Sequence, residues 1–335
     1  MNNYQELHNN YEKWYLNLQE EDLFQEERKK FLSLHSKVFT RVQIEPTQRC
    51  NFSCHMCPID EIQADTKEDL SLIDYILLLD QLPSTVKYIT LSGLGEPFLN
   101  PNYIQMAKIA YERGYLVEVY NNGSKFDENI LPYIYELFFS LDAVDETILR
   151  NVRKGINKDL VIKNIKNAIE YRDKHKDKNL KVNINFCIHS QNQLEIKHIL
   201  PLCQELKINH LHIQTVSNNY ATDSKAYNSF TSYVQQSHQI EWVKIIKLYK
   251  REYDFLFTIW YPRKLKGFCN WTFSSLYINK NMDVISCCQK VTNPMIFGNI
   301  KETKLSDIYY SEQMSSFRDA HIKGDYIELC EKCPF

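Results

Sequence analysis

The chain predicts an α/β fold, a partial (βα)6 TIM-like barrel followed by a small C-terminal α+β domain. Three observations carry that expectation. Across residues 41–225, short apolar runs alternate with longer amphipathic ones, and strand–helix–strand repetition calls for a parallel sheet with right-handed crossovers. The longest of the short runs has one apolar and one polar face. The 335 residues leave room for two cores, at about 150 residues per domain.

Taken in order, residues 1–40 place Tyr4, Leu7, Tyr11, Trp14 and Leu18 at alternating three- and four-residue steps. That is the pattern of an amphipathic helical extension with an aromatic face, packed on the barrel or offered to a partner. The barrel follows over 41–225. Its six strands are expected at 41–46, 86–92, 116–121, 137–142, 181–189 and 210–216, with helices at 70–82, 103–113, 161–174 and 194–206 between several of them. A helical connection over 226–260 leads to the C-terminal domain at 261–335. Six strand–helix units suffice for most of a barrel.

Alternation says what lines the interior. Over 181–189, Val182, Ile184, Phe186 and Ile188 share one face while Asn183, Asn185, Cys187 and His189 share the other. Helices cover the outside of such a sheet and require apolar contacts there, so the polar face looks inward. The same phase turns Gln43, Glu45, Ser140, Asp142, His212 and Gln214 into the lumen. Taken singly, each polar residue is more often a structural hydrogen-bonding group; together they outline a substrate cavity.

Composition narrows the class. Lys plus Arg at 40 against Asp plus Glu at 42 gives a net charge of -2, without the basic excess of a nucleic-acid-binding surface. The first residues, Met-Asn-Asn-Tyr-Gln-Glu, lack a basic-then-apolar export signal, and the most apolar run is broken by Asp74 and Asp80. No membrane partner is expected. Ten cysteines in a long chain without an export signal point to metal or catalytic use in the reducing cytoplasm.

Cys50, Cys54 and Cys57 stand in the loop after the first strand, in the segment Cys-Asn-Phe-Ser-Cys-His-Met-Cys. Three thiolates at this spacing can hold three corners of an iron–sulfur cube and leave the fourth iron open to a substrate. A zinc site would need a fourth ligand, for which His55 is the local candidate. With Ser92-Gly-Leu-Gly-Glu-Pro97 after the next strand, the triplet resembles the signature of the radical S-adenosylmethionine (SAM) superfamily, whose Gly-Gly-Glu-Pro loop is here Gly93, Gly95, Glu96 and Pro97 around an extra Leu94. The resemblance implies the same barrel, a SAM-binding 4Fe–4S cluster and bound SAM. It also implies contacts to SAM from Asn122, Ser140 and Asp142 at strand ends and from Arg153. Met56 replaces the family's usual aromatic residue and offers the adenine a polarisable apolar surface instead.

Cys269, Cys287, Cys288, Cys330 and Cys333 form a second set. With Cys269-Asn-Trp271, a hairpin-like run over 276–288 and the closing Cys330-Glu-Lys-Cys333, the pattern resembles the twitch or short SPASM extension of radical SAM enzymes. That makes the C-terminal domain an auxiliary-cluster domain. The ligands so implied are Cys269, Cys288, Cys330 and Cys333 around a second 4Fe–4S cluster. Cys287 competes with Cys288, since adjacent strand residues face opposite ways. A structural zinc on four thiolates is the alternative.

The chemistry implied by the resemblance is hydrogen abstraction from an unactivated C–H bond by a 5'-deoxyadenosyl radical derived from SAM, with a flavodoxin or ferredoxin-type electron donor. The first reading is oxidation of a small-molecule or sugar-like substrate, with the auxiliary cluster taking the electron and His189 or His212 the proton. An epimerase, with Cys187 returning a hydrogen atom, or a maturase crosslinking a peptide are the enzymatic alternatives. The alternative of another class is a non-catalytic iron–sulfur or zinc protein.

Overall fold

The computed structural model describes residues 39–59, 68–189, 191–215, 255–260, 269, 271–288 and 294–331. All six expected strands form: β1 (Arg41–Ile44), β3 (Tyr88–Leu91), β4 (Leu116–Asn121), β5 (Glu136–Ser140), β7 (Lys181–Ile188) and β8 (His210–Thr215). They lie side by side in chain order and all neighbouring pairs run parallel. Two-residue strands β2 (Ser53–Cys54) and β6 (Arg153–Lys154) pair apart from them.

Helices α1 (Leu72–Asp80), α2 (Tyr103–Glu112), α3 (Glu146–Val152), α4 (Lys158–Lys174) and α5 (Ile196–Leu206) supply crossovers. Their starts are capped as the sequence requires: the side chains of Ser71, Asp145 and Asn157 accept from the backbone N–H of Asp74, Ile148 and Leu160. Between β4 and β5 the crossover is a 3-10 segment, Glu128–Tyr133, with Pro132 inside it. Val182, Ile184, Phe186 and Ile188 join the apolar core under the helices, where Cys203 of α5 is fully buried.

Two features differ from expectation. The end of the stretch expected as a helical connection is strand β9 (Leu256–Trp260), which adds parallel to β8. The C-terminal hairpin does not form a sheet of its own. After the short helix α6 (Trp271–Ser274), β10 (Ser275–Ile278) runs parallel to β1, and β11 (Asp283–Ile285) and β12 (Ile296–Asn299) follow antiparallel, giving one sheet in the order β12-β11-β10-β1-β3-β4-β5-β7-β8-β9. Helices α7 (Leu305–Tyr309), α8 (Glu312–Lys323) and α9 (Glu328–Glu331) complete the C-terminal domain. No helix among the described residues is long and apolar enough to cross a membrane. The aromatic-faced extension expected over residues 1–40, apart from its last two residues, lies outside the described residues.

Candidate active site

Register places inward-facing residues in layers. In the floor, Arg41 pairs with Glu118, to which Thr90 Oγ1 donates at 2.7 Å, and Lys181 pairs with Glu136 at 3.1 Å. Above them Tyr120 and Phe138 stack with centroids 4.2 Å apart, and His210 meets Phe138 edge-on. Higher still, Ser140 stands opposite Asn185, Asn185 opposite His212 and Cys187 opposite Gln214. Among the described residues, the buried amide of Asn183 and the Oδ1 of Asn185 have no hydrogen-bond partner, a costly state for buried polar groups that a ligand or solvent would relieve. The polar face inferred from alternation does line the lumen.

At the C-terminal ends of these strands, β1 feeds the cysteine loop. Arg49 fastens it, bonded to Asp69 and to the carbonyl of Leu99, while Asn100 Nδ2 donates to the carbonyls of Pro46 and Leu70 at 2.9 and 3.0 Å. Cys50 Sγ accepts from the Phe52 N–H at 3.4 Å. Further along, β2 pairs with β6, setting Cys54 opposite Arg153, whose Nη1 reaches Cys54 Sγ at 3.9 Å. Met56 lies half-buried in the same loop.

The three thiols sit within one another's electrostatic reach, and burial pushes Cys54 up to about 11 and Cys57 up to about 12. In the metal-free chain both therefore hold their protons, which iron would displace. Among the described residues no three His, Cys, Asp or Glu side chains converge as around a single ion. The corners of a cube are separate irons, and three thiols gathered beside Arg153 fit that donor set.

The Gly-Leu-Gly-Glu loop crosses directly over the cysteine loop. A Cβ on Gly95 would stand 2.5 Å from the Arg49 carbonyl oxygen and one on Gly93 2.3 Å from Glu45 Cγ, so both positions demand glycine. Glu96 donates its backbone N–H to the Arg49 carbonyl at 2.8 Å. Its carboxylate accepts from the N–H of Asn122 at 2.7 Å and of Phe98 at 3.3 Å, and Pro97 opens the 3-10 turn that follows. Burial raises the Glu96 carboxyl to about 7, against the pull of those donors and of Arg153. Asn122 continues the network: its amide donates to Asn51 Oδ1 at 3.1 Å and accepts from Ser124.

Two of the expected site residues are held by neighbouring groups. Asp142, expected among the SAM contacts, has Oδ2 bonded to Arg153 Nε at 2.6 Å and Oδ1 to the Cys187 N–H at 2.7 Å. Asp142 thus holds Arg153 and β7, and each of its oxygens keeps a lone pair for a further donor. His189 was expected as a base, yet its Nδ1 accepts from the Gln191 N–H at 3.2 Å, which spends the neutral ring's lone pair and leaves the proton on Nε2. His212 faces the same lumen, opposite Asn185. Burial lowers it to about 4 and a hydrogen bond to Gln214 partly offsets this, so it is neutral at physiological pH. Gln214 also bonds Cys187, whose thiol burial holds well above the ordinary range.

In the C-terminal domain, Cys269, Cys287, Cys288 and Cys330 are all partly buried, and Cys333 lies outside the described residues. Thr272 Oγ1 donates to Cys269 Sγ at 3.7 Å. Burial first, then Glu118, Glu136 and a smaller contribution from Cys288, raise the Tyr120 phenol. Neither the β2–β6 pairing nor the Asp142–Arg153–Cys54 connection was foreseen from sequence; the alternation placing Asp142 inward was the available signal.

Residues 44–218 match the family model of the radical SAM superfamily, and residues 269–334 match SPASM, an iron–sulfur cluster-binding domain. The chain is 22% identical over 303 residues to the tungsten-containing aldehyde ferredoxin oxidoreductase cofactor-modifying protein of Pyrococcus furiosus, covering 82% of each chain. It is 27% identical over 169 residues to the Fe-coproporphyrin III synthase of Methanosarcina barkeri, 48% of this chain and 40% of that one. Among solved structures, Streptococcus suis SuiB bound to precursor peptide SuiA superposes with a TM-score of 0.69 at 17% identity, covering 92% of this chain and 74% of SuiB. The anSMEcpe protein with bound AdoMet gives 0.62 at 14% identity, covering 88% of each.

Proposed function

Because this chain belongs to the radical SAM superfamily and ends in an iron–sulfur cluster-binding domain, we propose that it dehydrogenates a carbon bearing a hydroxyl group on a small-molecule or sugar-like substrate held in the barrel lumen. With its SAM-binding 4Fe–4S cluster loaded and reduced, such an enzyme generates a 5'-deoxyadenosyl radical that takes one hydrogen atom. The protein's own residues supply the rest. Cys50, Cys54 and Cys57 would hold that cluster; Gly95 and Glu96 would take the methionyl end of SAM and the Asn51–Asn122–Ser124 network its nucleoside.

Hydrogen-atom loss leaves a substrate radical, which becomes a carbonyl by losing one electron and one proton. Neutral His212 would take the proton. The electron would leave to the auxiliary cluster, with Cys269, Cys288, Cys330 and Cys333 as its ligands. The carrying observation is the annealing of β10 to β1, which sets the hairpin leading to Cys288 beside the strand that delivers the cysteine loop, supported by the polar atoms of Asn183 and Asn185 that have no partner among the described residues. A flavodoxin or ferredoxin-type protein would return the electrons.

A second reading rests on Cys187. Its thiol faces the lumen, bonded to Gln214, where it could return a hydrogen atom and invert a carbon centre in a sugar or peptide. The test feeds anaerobic holoenzyme, SAM and reductant with fractions of a small-molecule extract in heavy water. Dehydrogenation yields a product two hydrogens lighter that reacts with a hydrazide, and Cys187→Ala retains it. A product of unchanged skeleton that gains one deuterium, and is lost in Cys187→Ala, would replace dehydrogenation by epimerisation.

A further inference from the structure

Glu45 ends the inward face of β1 and is fully buried. Four neutral donors converge on its carboxylate. Oε1 accepts from Gln48 Nε2 at 2.7 Å and the Lys280 N–H at 3.4 Å; Oε2 accepts from the Leu94 N–H at 3.1 Å and the Tyr277 hydroxyl at 2.8 Å. These donors belong to three separate segments: the cysteine loop, the Gly-Leu-Gly-Glu loop and the β10–β11 hairpin of the C-terminal domain. Burying an acid without a cation costs several kcal/mol unless donors compensate it. One carboxylate at a junction of three segments therefore fixes all three relative to one another.

The packing repeats the message. Gly93 lies so close to the Glu45 stem that a Cβ would come within 2.3 Å of Cγ. One residue further, Leu94 is held by Oε2, and Glu96 is tied by its own N–H to the Arg49 carbonyl. The loop is thus registered from both ends of the β1–cysteine-loop corner. On the other side, Tyr277 and Lys280 flank the turn into β11, and β11 runs directly to Cys287 and Cys288.

We propose that Glu45 is a positioning residue that sets the Gly-Leu-Gly-Glu loop for the methionyl end of SAM and, through Tyr277, couples SAM occupancy to the hairpin carrying the auxiliary-cluster cysteines. This rests on residues 93–97 being the SAM loop and on the hairpin serving an auxiliary cluster.

The test compares anaerobically reconstituted wild type, Glu45→Ala, Glu45→Gln and Tyr277→Phe at matched iron content, with Glu96→Gln as control. SAM affinity is read by equilibrium dialysis, 5'-deoxyadenosine formation at saturating SAM, and the electron paramagnetic resonance spectrum of the reduced auxiliary cluster with and without SAM. Glu45→Ala should weaken SAM binding about tenfold, the worth of one charge-assisted hydrogen bond. Its rate at saturating SAM should stay within about twofold of wild type, the pattern of a binding effect. Glu45→Gln should restore affinity, since its amide oxygen can still accept from Leu94. Tyr277→Phe should abolish the SAM-induced change in the auxiliary signal.

Wild-type affinity in iron-loaded Glu45→Ala would overturn the positioning role, and an unchanged SAM response in Tyr277→Phe would overturn the coupling. Unaltered affinity in Glu96→Gln would instead locate the failure in the assignment of the SAM loop. An auxiliary signal missing from wild type would place it in the assignment of the cluster. Should Glu45→Ala not fold, Tyr277→Phe, lacking one hydroxyl, still decides the coupling.

Discussion

Asp142 shows how far single residues could be understood in advance. Alternation along 137–142 turned it into the lumen, and it is there, fully buried. Its partner was invisible, because Arg153 reaches it only through the two-residue ladder with Cys54. A buried ion pair that loses one member leaves an uncompensated charge, so Asp142→Ala should destabilise the metal-free chain by about 3–5 kcal/mol, read by urea unfolding. A change under about 1 kcal/mol would mean the pair is solvated, as exposed pairs are. Glu96 carries a pH signature. Its folded carboxyl sits at about 7 because burial disfavours the charge, whereas the unfolded carboxyl titrates in the ordinary range near 4.3. In between, the folded chain holds a proton the unfolded chain releases, so this group's contribution is full at low pH and is lost as pH rises through 7. The difference in unfolding free energy between wild type and Glu96→Gln should therefore shift toward the variant between pH 5 and pH 8, on the order of 3 kcal/mol in total. A flat difference would contradict the raised carboxyl.

At the scale of elements, the six barrel strands were legible because each is a short apolar run bounded by turn residues, and the period-two face of 181–189 fixed which side is wet. What was missed is non-local or short. Residues 256–260 read as the end of a helical connection, but they complete the sheet beside β8, a pairing that local pattern cannot announce. Strands of two residues leave no periodicity, so β2 and β6 could not be seen. The crossing of the Gly-Leu-Gly-Glu loop over the cysteine loop is likewise a contact between segments far apart in the chain, with no local signal. Its closeness predicts that Gly95→Ala, whose Cβ would lie 2.5 Å and 2.6 Å from two backbone oxygens, cannot be absorbed by side-chain motion. SAM affinity in that variant should fall at least about tenfold, measured by equilibrium dialysis. Unaltered affinity would show that the loop can lift without loss of its function.

Across the whole molecule, the barrel and the C-terminal domain share one sheet. The two family matches stop at residue 218 and resume at residue 269, yet β10 anneals directly to β1, the strand that delivers the cysteine loop. That arrangement brings the hairpin leading to Cys288 against the barrel lumen, which underlies the proposed path for the substrate's electron. No local signal could place residues 275–278 beside residues 41–44. The most direct measurement is iron per chain and SAM cleavage after anaerobic reconstitution, in wild type, in the variant with Cys50, Cys54 and Cys57 changed to Ala, and in Cys288→Ala. The expected result is about eight irons in wild type and about four in the triple variant, from two cubes of four. Cleavage should vanish in the triple variant and survive in Cys288→Ala, whose auxiliary cluster alone is impaired. About four irons in wild type with cleavage intact would contradict the second cluster, and with it the oxidation of substrate by electron loss to that cluster.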